Sequence, residues 1–140
     1  MRKFLVPVDG SAVANRAVAH ALELARALGD TTLLLVNVQQ TLERWYKHGL
    51  LNKEAIAHLQ QMGQADAAQA CALLDEGGIS YEFKVLFGHP GELVARTAKE
   101  QGCSAIVMGT RGLGDLENVF VGSTAYKVIQ LAEMPVTLVK

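Results

Sequence analysis

The chain has 140 residues, half of them hydrophobic and 19% charged, with a formal net charge of −1. That size suits one domain spanning 1–140, and that composition suits a globular chain with a core of its own, not a disordered one. No basic field points to DNA or RNA, and no basic cluster points to an anionic membrane.

The first strand is expected over Lys3 to Val8, a short apolar run closed by Asp9-Gly10-Ser11, with Ser11 placed to cap a helix. That apolar run reaches Asp9 too soon for a signal-peptide core, and no segment has the length of a membrane span, so a cytoplasmic protein without membrane insertion is expected. Ala17, Ala21, Leu24, Ala25 and Leu28 recur at helical spacing and predict an amphipathic helix from about Val13 to Leu28, stopped by Gly29. Thr31 to Val38 is apolar almost without interruption, the pattern of a strand buried on both faces of a parallel sheet.

Gln39 to Leu51 is less regular. Within it, Arg44-Trp45-Tyr46-Lys47-His48 reads either as a flap over a ligand or as an aromatic anchor that packs the loop. Ile56, Leu59, Gly63, Ala67, Ala70 and Leu74 then mark a long helix ending at Gly77-Gly78, and Ile79 to Phe87 a third strand. Gly88-His89-Pro90-Gly91-Glu92 opens the next helix with Pro90 near its first position, where a missing N–H costs little. That helix stops at Gly102, and Ala105 to Met108 forms the fourth strand. After a glycine-rich loop, Ala125, Val128, Ile129 and Ala132 give a last helical stripe, and Val136 to Val139 a last strand.

Strands alternating with helices predict an α/β fold: a doubly wound five-stranded parallel sheet with helices on both faces. Such sheets bind ligands at the carboxyl ends of their strands, where strand order reverses. For the order 3-2-1-4-5 that crevice lies between the first and fourth strands and brings Asp9 opposite Gly109.

The fourth strand carries the chemistry. Met108 leads into Gly109-Thr110-Arg111-Gly112-Leu113-Gly114, and a helix opens at Gly122-Ser123-Thr124. A strand, a glycine loop and a helix N-terminus in series make an anion site, because the first amides of the helix lack intrahelical partners and the helix dipole favours negative charge. The loop is not a Walker loop, since Asp115 stands where the lysine belongs. It is not the dinucleotide fingerprint either, since Gly112-Leu113-Gly114 lacks the third glycine. A phosphorelay receiver is excluded by the absence of an aspartate at Leu86-Phe87-Gly88.

What remains is Gly109-x-x-Gly112, nine residues, then Gly122-Ser123. Together with Val6-Pro7-Val8-Asp9-Gly10-Ser11, Gly88-His89-Pro90 and Pro135-Val136-Thr137-Leu138-Val139, this resembles the universal stress protein family over the whole chain, and its ATP-binding branch in particular. The resemblance implies that Pro7, Val8, Asp9 and Val38 lie beside adenine and ribose, and that Met108 and Gly109 wall the pocket. It implies that Arg111, Gly112, Gly122, Ser123 and Thr124 receive ribose and phosphates. It further implies ATP, ADP or AMP as ligand with Mg²⁺ carried by the nucleotide and by Asp9, and a homodimer formed through 135–140.

The function expected on this basis is a stress-response sensor or regulatory module, at most a slow ATP hydrolase. A slow nucleotide hydrolase or transferase and a nucleotide-free dimeric interaction protein are the alternatives. Adenylating relatives of the fold need a Ser-Gly-Gly-x-Asp-Ser turn that Asp9-Gly10-Ser11 does not supply. His20, His48, His58 and His89 share no ligand spacing with one another or with Cys71 and Cys103, so no metal site formed by protein alone is expected, and the cysteines are expected to be buried and reduced.

Overall fold

The computed structural model describes residues 1–111 and 121–140. Among these described residues ten elements follow in order: β1 (Arg2–Pro7), α1 (Ala12–Leu28), β2 (Thr31–Gln40), α2 (Glu43–Lys47), α3 (Lys53–Gly77), β3 (Tyr81–Gly88), α4 (Pro90–Glu100), β4 (Ala105–Gly109), α5 (Ser123–Leu131) and β5 (Val136–Val139). The strands form one sheet in the order β3-β2-β1-β4-β5, and every pair is parallel. The expected architecture is therefore the observed one.

Side chains of β1 and β2 alternate between two apolar clusters. Phe4, Val6, Leu33 and Leu35 point to the face covered by α1 and α3, where Ala17, Ala21, Ala67, Ala70 and Leu74 meet them. Leu5, Leu34 and Val36 point to the face covered by α4 and α5, where Val94, Ala98 and Val128 meet them. Because both faces are covered, the strands carry no polar face, which explains the unbroken hydrophobic runs. Alanines on the helices let backbones lie close to the sheet, and each fully buried Leu contributes about 1.5–3 kcal/mol.

The ends of α1 are set as the sequence predicts. Ser11 Oγ accepts from the Ala14 amide at 3.1 Å, and the Gly29 amide donates to Ala25 O at 3.0 Å. Pro90 is the first residue of α4.

Several details differ from expectation. The second strand runs two residues past Val38, because Asn37 and Gln39 find polar partners inside the protein and keep the strand paired with β3. Ile79 and Ser80 precede the third strand, since the Ile79 amide still donates to Leu74 O in the turn that closes α3. The less regular 39–51 segment holds the short helix α2. Leu28, Ile56 and Ile129, placed on buried stripes by periodicity, are exposed. Leu28 lies at the end of its helix and Ile56 in the first turn of α3.

Cys71 and Cys103 are free thiols packed on opposite faces of the sheet. Burial raises the pKa of the Cys103 thiol. No helix among the described residues is long and apolar enough to cross a membrane.

Candidate functional site

At the carboxyl ends of the strands a cleft of about 360 Å³ opens between β1 and β4 and extends over β2. That volume lies in the usual range for a small-molecule site. Pro7, Val8, Asp9, Val38, Met108, Gly109, Arg111, Gly122, Ser123 and Thr124 all line it. Ten of the eleven candidate residues, drawn from both ends of the sequence, thus meet in one crevice. The eleventh, Gly112, lies outside the described residues, as do Asp115 and Glu117.

The β1 end of the cleft is built by a tight turn. Gly10 has φ +86°, a conformation that favours glycine. The turn is held by Asp9, whose Oδ1 accepts from the Ser11 amide at 2.9 Å. Asp9 is therefore a turn-forming acid as well as a cleft residue.

The β4 end is built on Gly109. A side chain there would set its Cβ 2.6 Å from Val13 Cγ1 and 3.2 Å from Arg111 O. The first turn of α1 thus requires Gly109 to be small, whatever enters the cleft. Thr110 is tied to the last strand, its amide donating to Val139 O at 2.8 Å. Its own carbonyl accepts from the Gly122 amide at 2.6 Å, which closes the loop between β4 and α5 at its base. Gly122 is the N-cap of α5, with no side-chain cap, and Ser123 is the first helical residue. The Ser123 hydroxyl is therefore not spent on capping the helix.

The two ends of the cleft differ in polarity. At the β4 end stand Arg111, the hydroxyls of Ser123 and Thr124, and the start of α5 with its uncapped amides. A shallower recess of about 280 Å³ adjoins it across Gln40, Pro90, Ser123 and Thr124 and carries on to His89 and Lys127. At the β2 end stand Asn37, Gln39 and Asp66. Donors and positive charge thus lie at one end, a carboxylate and side-chain amides at the other.

Asn37, Gln39, Gln40 and Asp66 are cleft residues that sequence reasoning missed. The signal was present: Asn37 and Gln39 interrupt an otherwise apolar strand near its carboxyl end, and Asp66 follows Gly63 by three residues on the buried stripe of a long helix. Arg44 to His48 do not line the cleft. Trp45 is half-buried, and its carbonyl accepts from the Leu50 amide at 2.8 Å, so the segment folds back on itself. No cluster of three or more His, Cys, Asp or Glu able to hold a metal exists among the described residues.

A doubly wound sheet with a polarised crevice at its strand-order reversal defines an α/β domain of the kind that binds ligands at that crevice. The whole chain, residues 1–140, matches the universal stress protein family. It is 34% identical over 140 residues to the universal stress protein encoded in the QAH/OAS sulfhydrylase 3′ region of Thermus aquaticus, covering 99% of this chain and 98% of the relative. The solved structure of MJ0577, a universal stress protein of Methanocaldococcus jannaschii, superposes with a TM-score of 0.86 at 26% identity, over 99% of this chain and 95% of that one. The universal stress protein from Archaeoglobus fulgidus, solved in complex with dAMP, superposes with a TM-score of 0.75 at 24% identity, over 100% of this chain and 98% of that one. The chain belongs to the universal stress protein family.

Proposed function

We propose that this chain is a cytoplasmic adenine-nucleotide-binding protein that serves as a sensor or regulatory module in a stress response, not as a fast enzyme. The observation that carries the reading is the polarity of the cleft. Phosphates fit the β4 end, where the start of α5, Arg111, Ser123 and Thr124 offer amides, hydroxyls and a guanidinium. Ribose and base fit the β2 end, where acceptors dominate. The dAMP bound to the Archaeoglobus fulgidus relative supports the same class of ligand.

ATP is the nucleotide we assign, with ADP and AMP sharing its base and ribose contacts. Mg²⁺ enters with the nucleotide and offsets the repulsion between Asp9 and the phosphates. Asp9 spends one oxygen on the Ser11 amide. With no lysine in the described part of the phosphate end except Lys127 of the adjoining recess, turnover is slow at most.

We also assign a homodimer through the strand 135–140. Among the described residues β5 is an edge strand paired with β4 alone, and such an edge invites a second copy.

The test is equilibrium titration with Mg-ATP, ADP and AMP of the wild type and of Gly122→Val. Gly122 has φ −69°, open to any residue, so valine tests the space at the phosphates and not backbone strain. The expected result is saturable binding of one nucleotide per chain, weakened by about tenfold or more in the variant. Absence of saturable binding to the wild type overturns the proposal.

A further inference from the structure

The space at the phosphate end does not stop at the start of α5. Ser123 and Thr124 line both the cleft and the recess of about 280 Å³, which continues past them to His89, Glu92 and Lys127. Lys127 follows Ser123 by four residues in α5, one turn along the same face and ~6 Å down the axis. Side chains of a helix lean back toward its N-terminus, so the lysine stem runs toward Ser123 and not away from it.

That stem is seated on the neighbouring helix. A side chain at Gly91 would set its Cβ 2.5 Å from Lys127 Cβ and 2.7 Å from Lys127 Cγ. Glycine is a poor helix former, yet it stands in the first turn of α4, where it leaves room for these methylenes. The root of the lysine is thereby held between two helices while the side chain borders the recess.

The charges around it are few. Glu92 is the acid among the described residues that line the recess, and no ion pair joins it to Lys127. His89, the N-cap of α4, spends no side-chain bond on the cap and borders the same space. Arg111 belongs to the cleft and Lys127 to the recess, with Ser123 and Thr124 common to both. Positive charge thus stands at two stations in series. A single phosphate at Ser123 meets the first, and only a chain of phosphates meets the second as well.

We propose that Lys127 reads the length of the phosphate chain: it holds the terminal phosphate of ATP in the recess and gives the site a preference for ATP over AMP. The inference rests on the nucleotide reading above and adds which residue decides among the three nucleotides. The ammonium group forms a charge-assisted bond with a phosphate that lies beyond the first, and AMP has no such phosphate to offer. Glu92 opposes the negative chain and limits the gain without removing it.

The test is equilibrium titration with AMP, ADP and Mg-ATP of the wild type, Lys127→Gln and Lys99→Gln. Wild type is expected to bind Mg-ATP tighter than AMP by about tenfold or more, with ADP between them. Lys127→Gln is expected to lose about tenfold in Mg-ATP affinity while AMP stays within about twofold, so the ATP-to-AMP ratio falls toward parity. Lys127 is an exposed residue, and melting temperatures check that the variant is folded. Lys99→Gln removes the same charge from the last turn of α4, outside the recess, and is expected to leave the ratio unchanged. A ratio unchanged in folded Lys127→Gln, or lowered as much in Lys99→Gln, overturns the inference while leaving the nucleotide site standing. So does a wild type that binds AMP as tightly as Mg-ATP. Failure of all three nucleotides to bind overturns the nucleotide reading and this inference with it.

Discussion

Gly109 shows how a residue can carry two arguments at once. Its position in a glycine loop after the fourth strand suggests close approach of backbone to ligand. The structure adds that Val13 of α1 occupies the space a side chain would need. Gly109→Ala is therefore expected to destabilise the fold by about 1–3 kcal/mol even with no nucleotide present, the usual cost of overpacking. Urea denaturation of the nucleotide-free variant checks this, and unchanged stability would return the glycine to a purely ligand-facing role. Tyr81 gives a second prediction at this scale. Its hydroxyl donates to Asp75 Oδ1 at 2.8 Å, and this bond, aided by partial burial, raises the phenol's pKa well above its usual value of about 10. The folded chain thus holds the proton more tightly than the unfolded chain does. The stabilisation is full below pH ~10 and is lost as pH rises further, where the unfolded state binds fewer protons. Melting temperatures from pH 8 to 11 should fall less steeply in Tyr81→Phe than in the wild type, and parallel curves would contradict the assignment.

Elements were legible in the sequence where one local rule decided them. Ser11 was readable as a cap because a hydroxyl preceded a periodic apolar stripe, and its bond to the Ala14 amide is present. Ser11→Ala is expected to cost about 1 kcal/mol in chemical denaturation, the typical loss of an N-cap. The continuous run from Thr31 announced a strand covered on both faces, as the two clusters show. The end of that strand was not legible, because Gln39 looks like the start of a loop until Asp66, on a helix far along the chain, is seen to accept from it and from Asn37. Periodicity likewise put Ile56 and Ile129 inside: it gives a direction on the helix but not whether a neighbour covers that direction. The candidate site was legible for the opposite reason. Its residues sit at strand ends and helix starts, and the topology of a doubly wound sheet fixes where those ends meet. Asp66 comes from mid-helix and escaped that rule.

At the scale of the whole molecule, β3 and β5 are the two edges of the sheet, and the cleft lies away from β5, at the strand ends. Pro135 and Val139 carbonyls accept from β4, so by alternation the Leu138 amide points to the open edge. Leu138→Pro removes a donor from that edge while leaving the ladder to β4 in place, as proline on edge strands does. Sedimentation is expected to show a dimer for the wild type and a monomer for the variant; a wild-type monomer, or a dimer indifferent to proline, would place the interface elsewhere or nowhere. On the proposed function, assembly falls on the edge strand and the ligand at the strand ends, two separate tasks. They meet at Thr110, whose amide donates to Val139 O and whose carbonyl holds the Gly122 amide. The central claim is that the crevice holds an adenine nucleotide. The most direct measurement is to denature freshly purified protein and identify any released small molecule by mass, with Mg-ATP supplied beforehand and Gly122→Val as control. The account predicts an adenine nucleotide at about one per chain, lost in the variant. A wild-type protein that releases none, even after incubation with Mg-ATP, would contradict it.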